Sequence, residues 1–596
     1  HRTCSILVDS PERKRSAAVR DLKDFLRMVF GVDIPVALDR PDRRQGASVE
    51  RGEGDIISLA LNPEALGQAS EEGYRLTVSP GGEGPHVEAR LVAASPAGLL
   101  YGVQELKMRS RFENGVLEVP VLDISSSPAM AVRGIKGLRW NPSDYLSIID
   151  FLPACRFNFL MMCYGMVPEH CRELRKPYSD EHLQAISEIV QRCNERYIRV
   201  CVAVNPSLRS EPPICYSSEQ DLALLVAKFR ASYDLGVRTF ALALDDINFE
   251  MTHPEDRRAY AGLGHAHVDL VRRLDDALRS LDSENKLIFC PTTYFTRYAL
   301  ERKDYTEALV HGLPEDVDVF WTGPEWNSTI VTGEDARFFS SLVGRKPFLW
   351  LNYPVNDYLA PYPWRLLLEP VRLSCTELPR WIEGLVSNPM RQVEASKIPL
   401  WTIGKYCWDP ASYRPEAALQ EAVAVVAGAE AREPLKLLVE AYTRYYDALR
   451  DTRDYACDVA ANPSSQRASE DLLMAAGIIR TLIPVVKRLL QNERLASELE
   501  EGFNRFLAFC EAYNAWRYGR CGCGLRPSEA ATQGYDTSDA RALDAMKRFL
   551  RTADLAWCDW DDSTLSDAAW YLQEIEAMVR QTESSVNLRQ VPGDGG

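Results

Sequence analysis

The sequence has little that would suit nucleic acid, a membrane or a dinucleotide cofactor. Its formal net charge is -16, which would repel a phosphate backbone, because such backbones are bound by clustered Lys and Arg. It contains no run of eighteen apolar residues, the length at which a stretch becomes a candidate membrane helix. Gly262 and Gly264 do not follow a strand pattern, so no dinucleotide-binding fingerprint is present. We therefore expect neither a nucleic-acid partner nor a membrane span.

The start of the sequence leaves the compartment open. Residues His1 to Cys4 lack the basic and then apolar layout of a secretion signal. The sequence starts with His rather than Met, as it would if a leader had already been removed. We expect a soluble chain, and both a secreted and a cytoplasmic location stay open.

Cysteine is present without a metal-binding pattern. Most of the 15 cysteines stand singly within apolar runs, such as 159–163 and 287–290, where Cys behaves as a small buried hydrophobe. The one close pair, Cys521 and Cys523, has a spacing that fits neither a zinc ribbon nor a thioredoxin motif. We expect reduced cysteines in the core and no metal site.

The composition is that of a globular chain with more than one core. Hydrophobic residues make up 46% and charged residues 26% of the 596 residues, a length that exceeds the usual size of one domain. Residues 1–128 combine strand patterns at 5–8 and 74–78 with a helical pattern at 20–30, which predicts an N-terminal α/β domain. Residues 429–596 are rich in Leu, Ala, Glu and Arg at helical spacing, which predicts a C-terminal helical bundle.

Between these parts, residues 129–428 alternate apolar segments of strand length with helical patterns. Near-continuous apolar runs are typical of parallel strands that are buried on both faces. Eight such segments are present, at 131–140, 157–165, 198–206, 239–246, 286–295, 317–326, 347–355 and 398–408. Eight units predict a (β/α)8 TIM barrel, so the expected fold class is α/β. In that fold the chemistry lies at the carboxyl ends of the strands.

Two adjacent carboxylates, Asp245 and Asp246, close the fourth apolar segment. Like charges leaving a buried strand destabilise one another, so one of the pair is expected to hold a proton. Neighbouring side chains diverge along an extended backbone, so one acid and one carboxylate can reach different atoms of a ligand. The spacing alone suits a helix N-cap followed by an exposed acid equally well, and that alternative stays open.

Aromatic and amide side chains close several other segments. Tyr294 follows the fifth segment, and Trp350 and Asn352 lie in the seventh. A sugar packs its C–H faces on aromatic rings, while its hydroxyls and amide need donors and acceptors at fixed points. Each aromatic alone is more often a core residue. Their common position after barrel strands favours a carbohydrate site.

The chain resembles glycoside hydrolase family 84, which comprises the O-GlcNAcases and bacterial β-N-acetylglucosaminidases. The segments that carry the resemblance are Phe240 to Asp246, Cys290 to Tyr294, Asp316 to Pro324, Asn352 to Tyr358 and Thr376 to Pro389. No single motif is specific, whereas the set is. The resemblance also implies the three-part architecture of an N-terminal hexosaminidase-type domain, a barrel and a helical domain.

The family implies a retaining, substrate-assisted mechanism without metal or cofactor, acting on terminal β-linked N-acetylhexosamine. The 2-acetamido oxygen attacks the anomeric carbon and forms an oxazoline, unlike the scheme in which a carboxylate is the nucleophile. By resemblance, Asp245 orients the acetamido N–H, and Asp246 protonates the leaving oxygen and later activates water. The resemblance further implies five substrate contacts: Tyr294 and Asn352 to the acetamido group, Asp357 to the O4 and O6 hydroxyls, Asn388 to a ring hydroxyl, and Trp350 as a pocket wall.

The first two barrel strands depart from the family. The family's Gly-Phe-Tyr-Gly stretch is replaced by residues 137–140, of which only Gly137 matches and stays a candidate substrate contact. Where strand two normally delivers a lysine to the sugar, residues 163–166 contain none. The choice between GlcNAc and GalNAc therefore stays open, with Arg139 or Tyr164 as candidate replacement contacts.

Two other functions remain open at this point. The missing lysine is compatible with a carbohydrate-binding homologue of impaired activity, and the barrel with a glycosidase that uses a protein nucleophile. The expected partner is an N-acetylhexosamine-containing glycan or glycoconjugate. For the helical domain, covering the cleft, binding a partner and forming a homodimer are equally open.

Overall fold

The computed structural model describes residues 3–39, 54–66, 70–81, 86–113, 116–137, 139–328, 330–357, 366–373, 376–450, 464–504 and 506–507. The chain forms two compact units. The first comprises His1–Pro354, Pro370–Val393 and Pro399–Leu419, and the second comprises Val355–Glu369, Glu394–Ile398 and Gln420–Gly596. The division into domains at 1–128, 129–428 and 429–596 stays a prediction.

The first unit begins with a six-stranded sheet. Its strands are β1 (Thr3–Val8), β2 (Val36–Leu38), β3 (Gly54–Leu61), β4 (Tyr74–Pro80), β5 (Val87–Ala93) and β8 (Leu122–Ser126), in the order β2-β1-β3-β5-β4-β8. A small hairpin of β6 (Arg111–Glu113) and β7 (Val116–Glu118) stands apart. The strands predicted at 5–8 and 74–78 are confirmed.

Two helices pack on this sheet, α1 (Ala17–Phe30) and α2 (Pro96–Arg109). The Ser16 hydroxyl accepts a hydrogen bond from the Val19 N–H and begins α1, which ends at Gly31 with a φ of 69°. Leu22 and Leu26 turn inward to meet alternate residues of the strands. The helix predicted at 20–30 is thereby confirmed.

A buried arginine joins the sheet to the barrel within the first unit. Arg133 is fully buried, and its guanidinium donates to the carbonyl oxygen of Arg156 at 2.8 Å and to Glu72 at 2.5 Å. The same group lies 5.2 Å from the ring centroid of Trp408, while Arg156 pairs with Glu105. Buried cations are tolerated only with such partners, and these contacts compensate the buried charge at the junction.

Eight parallel strands form a closed barrel. They are β9 (Val132–Lys136), β10 (Phe159–Met162), β11 (Arg199–Val204), β12 (Thr239–Ala243), β13 (Lys286–Cys290), β14 (Asp318–Trp321), β15 (Pro347–Pro354) and β16 (Gly384–Asn388). Each pairs with the next, and β16 closes on β9 with Ser387 opposite Ile135. The (β/α)8 prediction is confirmed.

Helices follow the strands around the barrel. They are α3 (Pro142–Ile149), α4 (Asp180–Glu195), α5 (Glu219–Asp234), α6 (Pro254–Ala259), α7 (Leu263–Leu281), α8 (Thr296–Glu301), α9 (Lys303–Gly312), α10 (Gly333–Val343), α11 (Leu378–Trp381) and α12 (Val393–Trp408). Capping boxes of Asn141 with Asp144 and of Thr332 with Asp335 begin α3 and α10.

The predicted eighth strand was wrong. Residues 398–408 belong to helix α12, and the eighth strand is β16, Gly384–Asn388. Within 398–408 every residue except Lys405 is buried, so the segment lacks the polar face that would indicate a helix in the sequence. Gly404 lets α12 approach closely, because a Cβ there would lie 2.0 Å from the carbonyl oxygen of Cys155. The length of the run, which exceeds that of a strand, was the usable signal.

The barrel interior is apolar and rich in thiols. Cys163, Cys201 and Cys290 are buried there beside Trp350. None of the nine cysteines that the structure describes is in a disulfide, and seven of them are buried, so the expectation of reduced core cysteines is confirmed for that part of the chain. The Cys521 and Cys523 pair lies outside the described residues.

From Gln420 onward, the described part of the second unit is mainly helical. Helix α13 (Pro415–Arg450) contains a kink at Gly428, where φ is 71°, and is followed by α14 (Ser464–Leu489) and α15 (residues 493–504). Tyr442 packs edge-on against Phe503 with ring centroids 5.0 Å apart. The predicted helical character is confirmed. No helix among the described residues combines the length and apolarity that crossing a bilayer requires.

Candidate active site

The two predicted acids follow β12 and face different surroundings. Leu244 still donates its N–H to the Cys290 carbonyl oxygen at 2.9 Å, so Asp245 leaves the barrel wall at a fixed position. Asp245 is 5% exposed, whereas Asp246 is exposed. Asp246 has a φ of 53°, a left-handed conformation that non-glycine residues adopt sparingly and often at functional sites. This turn sends the two carboxylates in different directions.

Both oxygens of Asp245 accept hydrogen bonds. The Tyr164 hydroxyl donates to Oδ2 at 2.8 Å, and the Asn205 side-chain N–H donates to Oδ1 at 3.2 Å. These partners follow β10 and β11, so three consecutive strand ends hold one carboxylate. Asn205 also accepts from the Leu208 N–H at 2.9 Å and shapes the turn in which it lies.

Burial is the main cause of an altered proton affinity at Asp245. It raises the pKa of this carboxyl to about 6, and the negative charge of Asp246 acts in the same direction. The positive charge of Lys136 and the hydrogen bond from Tyr164 oppose the rise. Asp245 is thus an anion at neutral pH that can be protonated within a mildly acidic range.

Tyr294 reaches Asp246 from the end of β13. Its hydroxyl donates to Asp246 Oδ1 at 2.8 Å. Burial, followed by the charge of Asp246, holds the pKa of the Tyr294 hydroxyl above its usual range. The phenol therefore remains a proton donor. The sequence predicted that Tyr294 and Asp246 share one site, and the structure brings them together.

Three further predicted residues meet where β15 and β16 run side by side. The Trp350 indole N–H and the Asn388 side-chain N–H both donate to Asn352 Oδ1 at 3.0 Å, and Asn352 donates to the Trp326 carbonyl oxygen at 2.7 Å. Asn388 is 3% exposed, and its Oδ1 has no hydrogen-bond partner among the described residues. A buried acceptor without a partner is costly unless a ligand supplies the donor.

Lys136, which sequence reasoning missed, also lies at this end of the barrel. It is the last residue of β9 and 1% exposed, and its Nζ lies 3.3 Å from the ring centroid of Trp350 and 5.7 Å from that of Tyr164. The family resemblance predicts a lysine on strand two and none on strand one. The rule that polar residues closing apolar strands are candidates would have found Lys136 on strand one.

No contact in the structure tests the roles predicted for Gly137, Arg139 and Asp357, which remain predictions. A Cβ at Gly137 would lie 2.3 Å from the Trp140 ring, so packing already requires glycine there. The Gly137 carbonyl oxygen accepts from the Tyr145 hydroxyl at 2.7 Å. Arg139 is exposed and has a φ of 61°. Asp357 is half-buried, three residues beyond the end of β15, and belongs to the second unit.

One grouping of potential metal ligands occurs among the described residues, Cys215 with His253 and Glu255. Burial raises the pKa of the Cys215 thiol, and its sulfur lies within hydrogen-bond distance of Asp256 at 3.3 Å. A thiol that keeps its proton is a poor metal ligand. This grouping is separate from the residues that hold Asp245 and Asp246.

A family model described as beta-N-acetylglucosaminidase matches residues 131–440, more than half of the chain. The chain belongs to this family, glycoside hydrolase family 84. The match begins just before β9 and contains the whole barrel.

Curated relatives agree over a shorter stretch. The chain is 27% identical over 278 residues to Protein O-GlcNAcase of Rattus norvegicus, and 26% identical over 278 residues to that of Mus musculus. In each case the stretch covers 46% of this chain and 29% of the relative. The chain thus matches under a third of the length of these relatives.

Solved structures share the fold over most of the chain. CpGH84B aligns with a TM-score of 0.66 at 21% identity over 92% of this chain and 93% of its own. CpGH84D gives 0.64 at 20% identity, with 92% and 90% covered. A variant of an O-GlcNAc hydrolase from Thermobaculum terrenum gives 0.55 at 24% identity, with 71% and 94% covered. These similarities concern the fold.

Proposed function

We propose that the chain is a retaining exo-β-N-acetylglucosaminidase that uses the acetamido group of its own substrate as the nucleophile. The observation that carries the proposal is the division of labour between adjacent acids. Asp245 is buried and held through both oxygens, and Asp246 is exposed beside the Tyr294 hydroxyl. A fixed anion next to an accessible acid suits a reaction that needs both at once.

In the first step the acetamido oxygen attacks the anomeric carbon. A C–O bond forms to that carbon as the bond to the leaving oxygen breaks, and Asp246 gives its proton to the leaving oxygen. Asp245, anionic above a pH of about 6, accepts a hydrogen bond from the acetamido N–H and stabilises the positive charge that develops there. The product is an oxazolinium ion, which keeps its N–H proton hydrogen-bonded to Asp245, and the leaving alcohol is released.

In the second step water opens the oxazolinium ion. Asp246, now a carboxylate, takes a proton from the water molecule. The water oxygen attacks the anomeric carbon from the face that the alcohol left. The bond between the anomeric carbon and the acetamido oxygen breaks, and the acetamido group is restored. Two inversions give overall retention, and Asp246 regains the proton with which it began.

The remaining contacts follow the family resemblance. We assign Tyr294 and the second side-chain N–H of Asn352 to the acetamido group, and Trp350 to the pocket wall. Asn388 would accept a hydrogen bond from a ring hydroxyl through its unpartnered oxygen. Asp357 keeps the role that the resemblance gives it, a grip on the O4 and O6 hydroxyls.

GlcNAc is the sugar that the comparisons favour over GalNAc. The family description names N-acetylglucosaminidase, and the curated relatives are named for removing O-GlcNAc. We therefore propose a terminal β-linked GlcNAc on a glycoconjugate as the substrate, with O-GlcNAc-modified protein as the first candidate. GalNAc, which differs only at C4, is the matched comparison.

Chromogenic aryl glycosides test the proposal directly. We expect turnover of the β-GlcNAc substrate, slower turnover of β-GalNAc, and none of the matching β-glucoside, which lacks the nucleophile. Equal turnover of the glucoside would show a protein nucleophile instead. Sugar binding without turnover of any glycoside would show a binding protein. Since both oxygens of Asp245 already accept hydrogen bonds, its attack on carbon is disfavoured.

A further inference from the structure

The side chain of Lys136 is almost wholly buried, and its ammonium group has no hydrogen-bond acceptor among the described residues. Its side chain is 1% exposed, yet among the described residues its Nζ makes neither a hydrogen bond nor an ion pair within 4.0 Å. Its nearest defined neighbour is the face of Trp350, 3.3 Å away at the ring centroid. A cation–π contact is favourable but uses none of the three N–H donors.

The other buried lysine among the described residues shows what such a group usually has. Lys228 on α5 also lies on an aromatic ring, 4.5 Å from the centroid of Tyr178, but its Nζ donates to the carbonyl oxygen of Lys176. Desolvating an ammonium is costly, and hydrogen bonds normally offset that cost. Lys136 has the burial and the ring contact but lacks the acceptor.

The missing acceptor has a defined place. Strands β9 and β16 are neighbours with Ile135 opposite Ser387, so the next residues, Lys136 and Asn388, end the two strands side by side. Backbones of neighbouring strands are about 4.8 Å apart. Lys136 therefore lies beside Asn388, whose Oδ1 is a buried acceptor without a hydrogen-bond partner among the described residues. A hydroxyl group, which both accepts and donates, satisfies the two together.

We propose that Lys136 and Asn388 form a recognition pair for the ring hydroxyls of the sugar, with Lys136 donating and Asn388 accepting. The pair rests on the proposed function, since it needs a sugar in the site of Asp245 and Asp246. It supplies from strand one the cation that the family resemblance leads one to expect from strand two. Tyr164, on the strand-two side, is then free to hold Asp245.

A second role for Lys136 predicts a different outcome. Its charge also favours the anionic form of Asp245. If that were its whole contribution, its loss would slow every substrate by the same factor and would move the acidic limb of the pH profile upward. If Lys136 binds a hydroxyl, the loss depends on whether that hydroxyl is present.

The test combines Lys136→Met with removal of single hydroxyls from the substrate. Values of kcat/KM are measured for parent and variant on the aryl β-GlcNAc and on its 3-deoxy, 4-deoxy and 6-deoxy analogues. We expect the variant to lose about 10- to 100-fold on the full sugar. On one deoxy analogue, parent and variant should agree within about three-fold. The same loss on all four sugars would overturn the proposal.

Two further variants keep the result interpretable. Lys228→Met removes the other buried ammonium and should leave the sugar selectivity unchanged, whatever it does to thermal stability. Lys136→Gln keeps a donor without the charge and should lose less than Lys136→Met on the full sugar. If Met and Gln were equally damaging on every analogue, hydroxyl recognition would be contradicted.

Calorimetric binding separates this inference from the proposed function. The affinity of parent and Lys136→Met for free GlcNAc and its deoxy analogues needs no turnover. Selective loss of affinity without any turnover by the parent would overturn the proposed function and support the recognition pair. Turnover by the parent, together with unchanged affinity and unchanged kcat/KM in the variant, would support the proposed function and overturn the recognition pair.

Discussion

Two parts of the barrel mouth differ in how closely they follow the family resemblance. At the end of β12, Asp245 and Asp246 stand where the family resemblance expects them, and their partners follow the neighbouring strands. At the ends of β9 and β10 the expected lysine is absent from strand two, and Lys136 lies on strand one instead. The acids must be adjacent in the chain, whereas a hydroxyl donor needs only to reach one point in space.

The comparison separates chemistry from recognition. The proposed catalytic acids depend on backbone geometry as well as on residue identity, since Asp246 adopts a φ of 53° that places it apart from Asp245. A donor at the tip of a long, flexible side chain can move between adjacent strands with little change to the fold. We therefore expect substitutions at the β12 end to affect turnover and those at the β9–β16 wall to affect sugar selectivity.

The largest effect is expected at Asp246. Asp246→Asn removes the proton that the leaving group needs, so kcat/KM for an alkyl β-GlcNAc should fall roughly a hundred- to ten-thousand-fold. An activated aryl group departs without that proton, so its kcat/KM should fall far less. Rates on both substrates measure the difference, with Asp276→Asn, an exposed acid of α7, as control. Equal losses would remove Asp246 from the acid role.

A smaller effect is expected at the recognition pair of Lys136 and Asn388. Asn388→Ala removes the unpartnered buried acceptor, so kcat/KM on the full sugar should fall about ten-fold, mainly through KM. The matched control is Asn285→Ala, which removes an amide that is also buried but donates to the Leu278 carbonyl oxygen before β13. That control should lower thermal stability and spare kcat/KM. An unchanged KM in Asn388→Ala would contradict the assignment.

The pH profile links the two regions through Tyr164. Its hydroxyl stabilises the anion of Asp245, so Tyr164→Phe should raise the pKa of that carboxyl above about 6. In the proposed mechanism the anion is the active form, so the acidic limb of kcat/KM should move up by about one pH unit. Tyr413→Phe, which removes a hydroxyl bonded to the Val371 carbonyl oxygen, is the control. If the acidic limb stayed in place, Asp245 would not be the group whose titration sets it.

The smallest effect is one of stability. The folded pKa of Asp245 is raised from 3.8 to about 6, so the folded state holds this proton more tightly than the unfolded chain. Its contribution to stability is therefore greatest below pH 4 and is lost as the pH rises through about 6. Asp245→Asn removes that loss and should stabilise the protein at pH 8 by about 2–3 kcal/mol.

Thermal unfolding of the parent and of Asp245→Asn at pH 4 and pH 8 measures this effect. At pH 4 the two proteins should unfold at similar temperatures, and at pH 8 the variant should unfold at the higher one. A variant that is less stable at both values would show that the hydrogen bonds from Tyr164 and Asn205 outweigh the burial of charge.

Much of the fold was predictable because parallel strands buried on both faces leave long apolar runs. Seven of the eight barrel strands were located in this way, as was the helical character of the described part of the second unit. The eighth was misplaced because β16 contains two polar residues, Ser387 and Asn388, within five. The buried helix α12 imitated a strand, since burial on all sides removes the pattern that separates the two.

The site was less predictable where contacts cross the barrel. Asp245, Asp246 and Tyr294 were found because each closes an apolar run. Lys136 closes one too, but a charged residue at the end of a strand is usually solvated, and nothing local shows that it is buried against Trp350. That contact joins the first and seventh barrel strands, a separation that neither periodicity nor spacing encodes.

The central claim, that the substrate's amide is the nucleophile, is tested most directly by weakening that amide. Aryl β-glucosaminides with N-acetyl, N-fluoroacetyl, N-difluoroacetyl and N-trifluoroacetyl groups carry the same leaving group and a progressively less nucleophilic oxygen. We expect kcat/KM to fall steeply with each added fluorine. A value that stayed constant across the series would contradict the account.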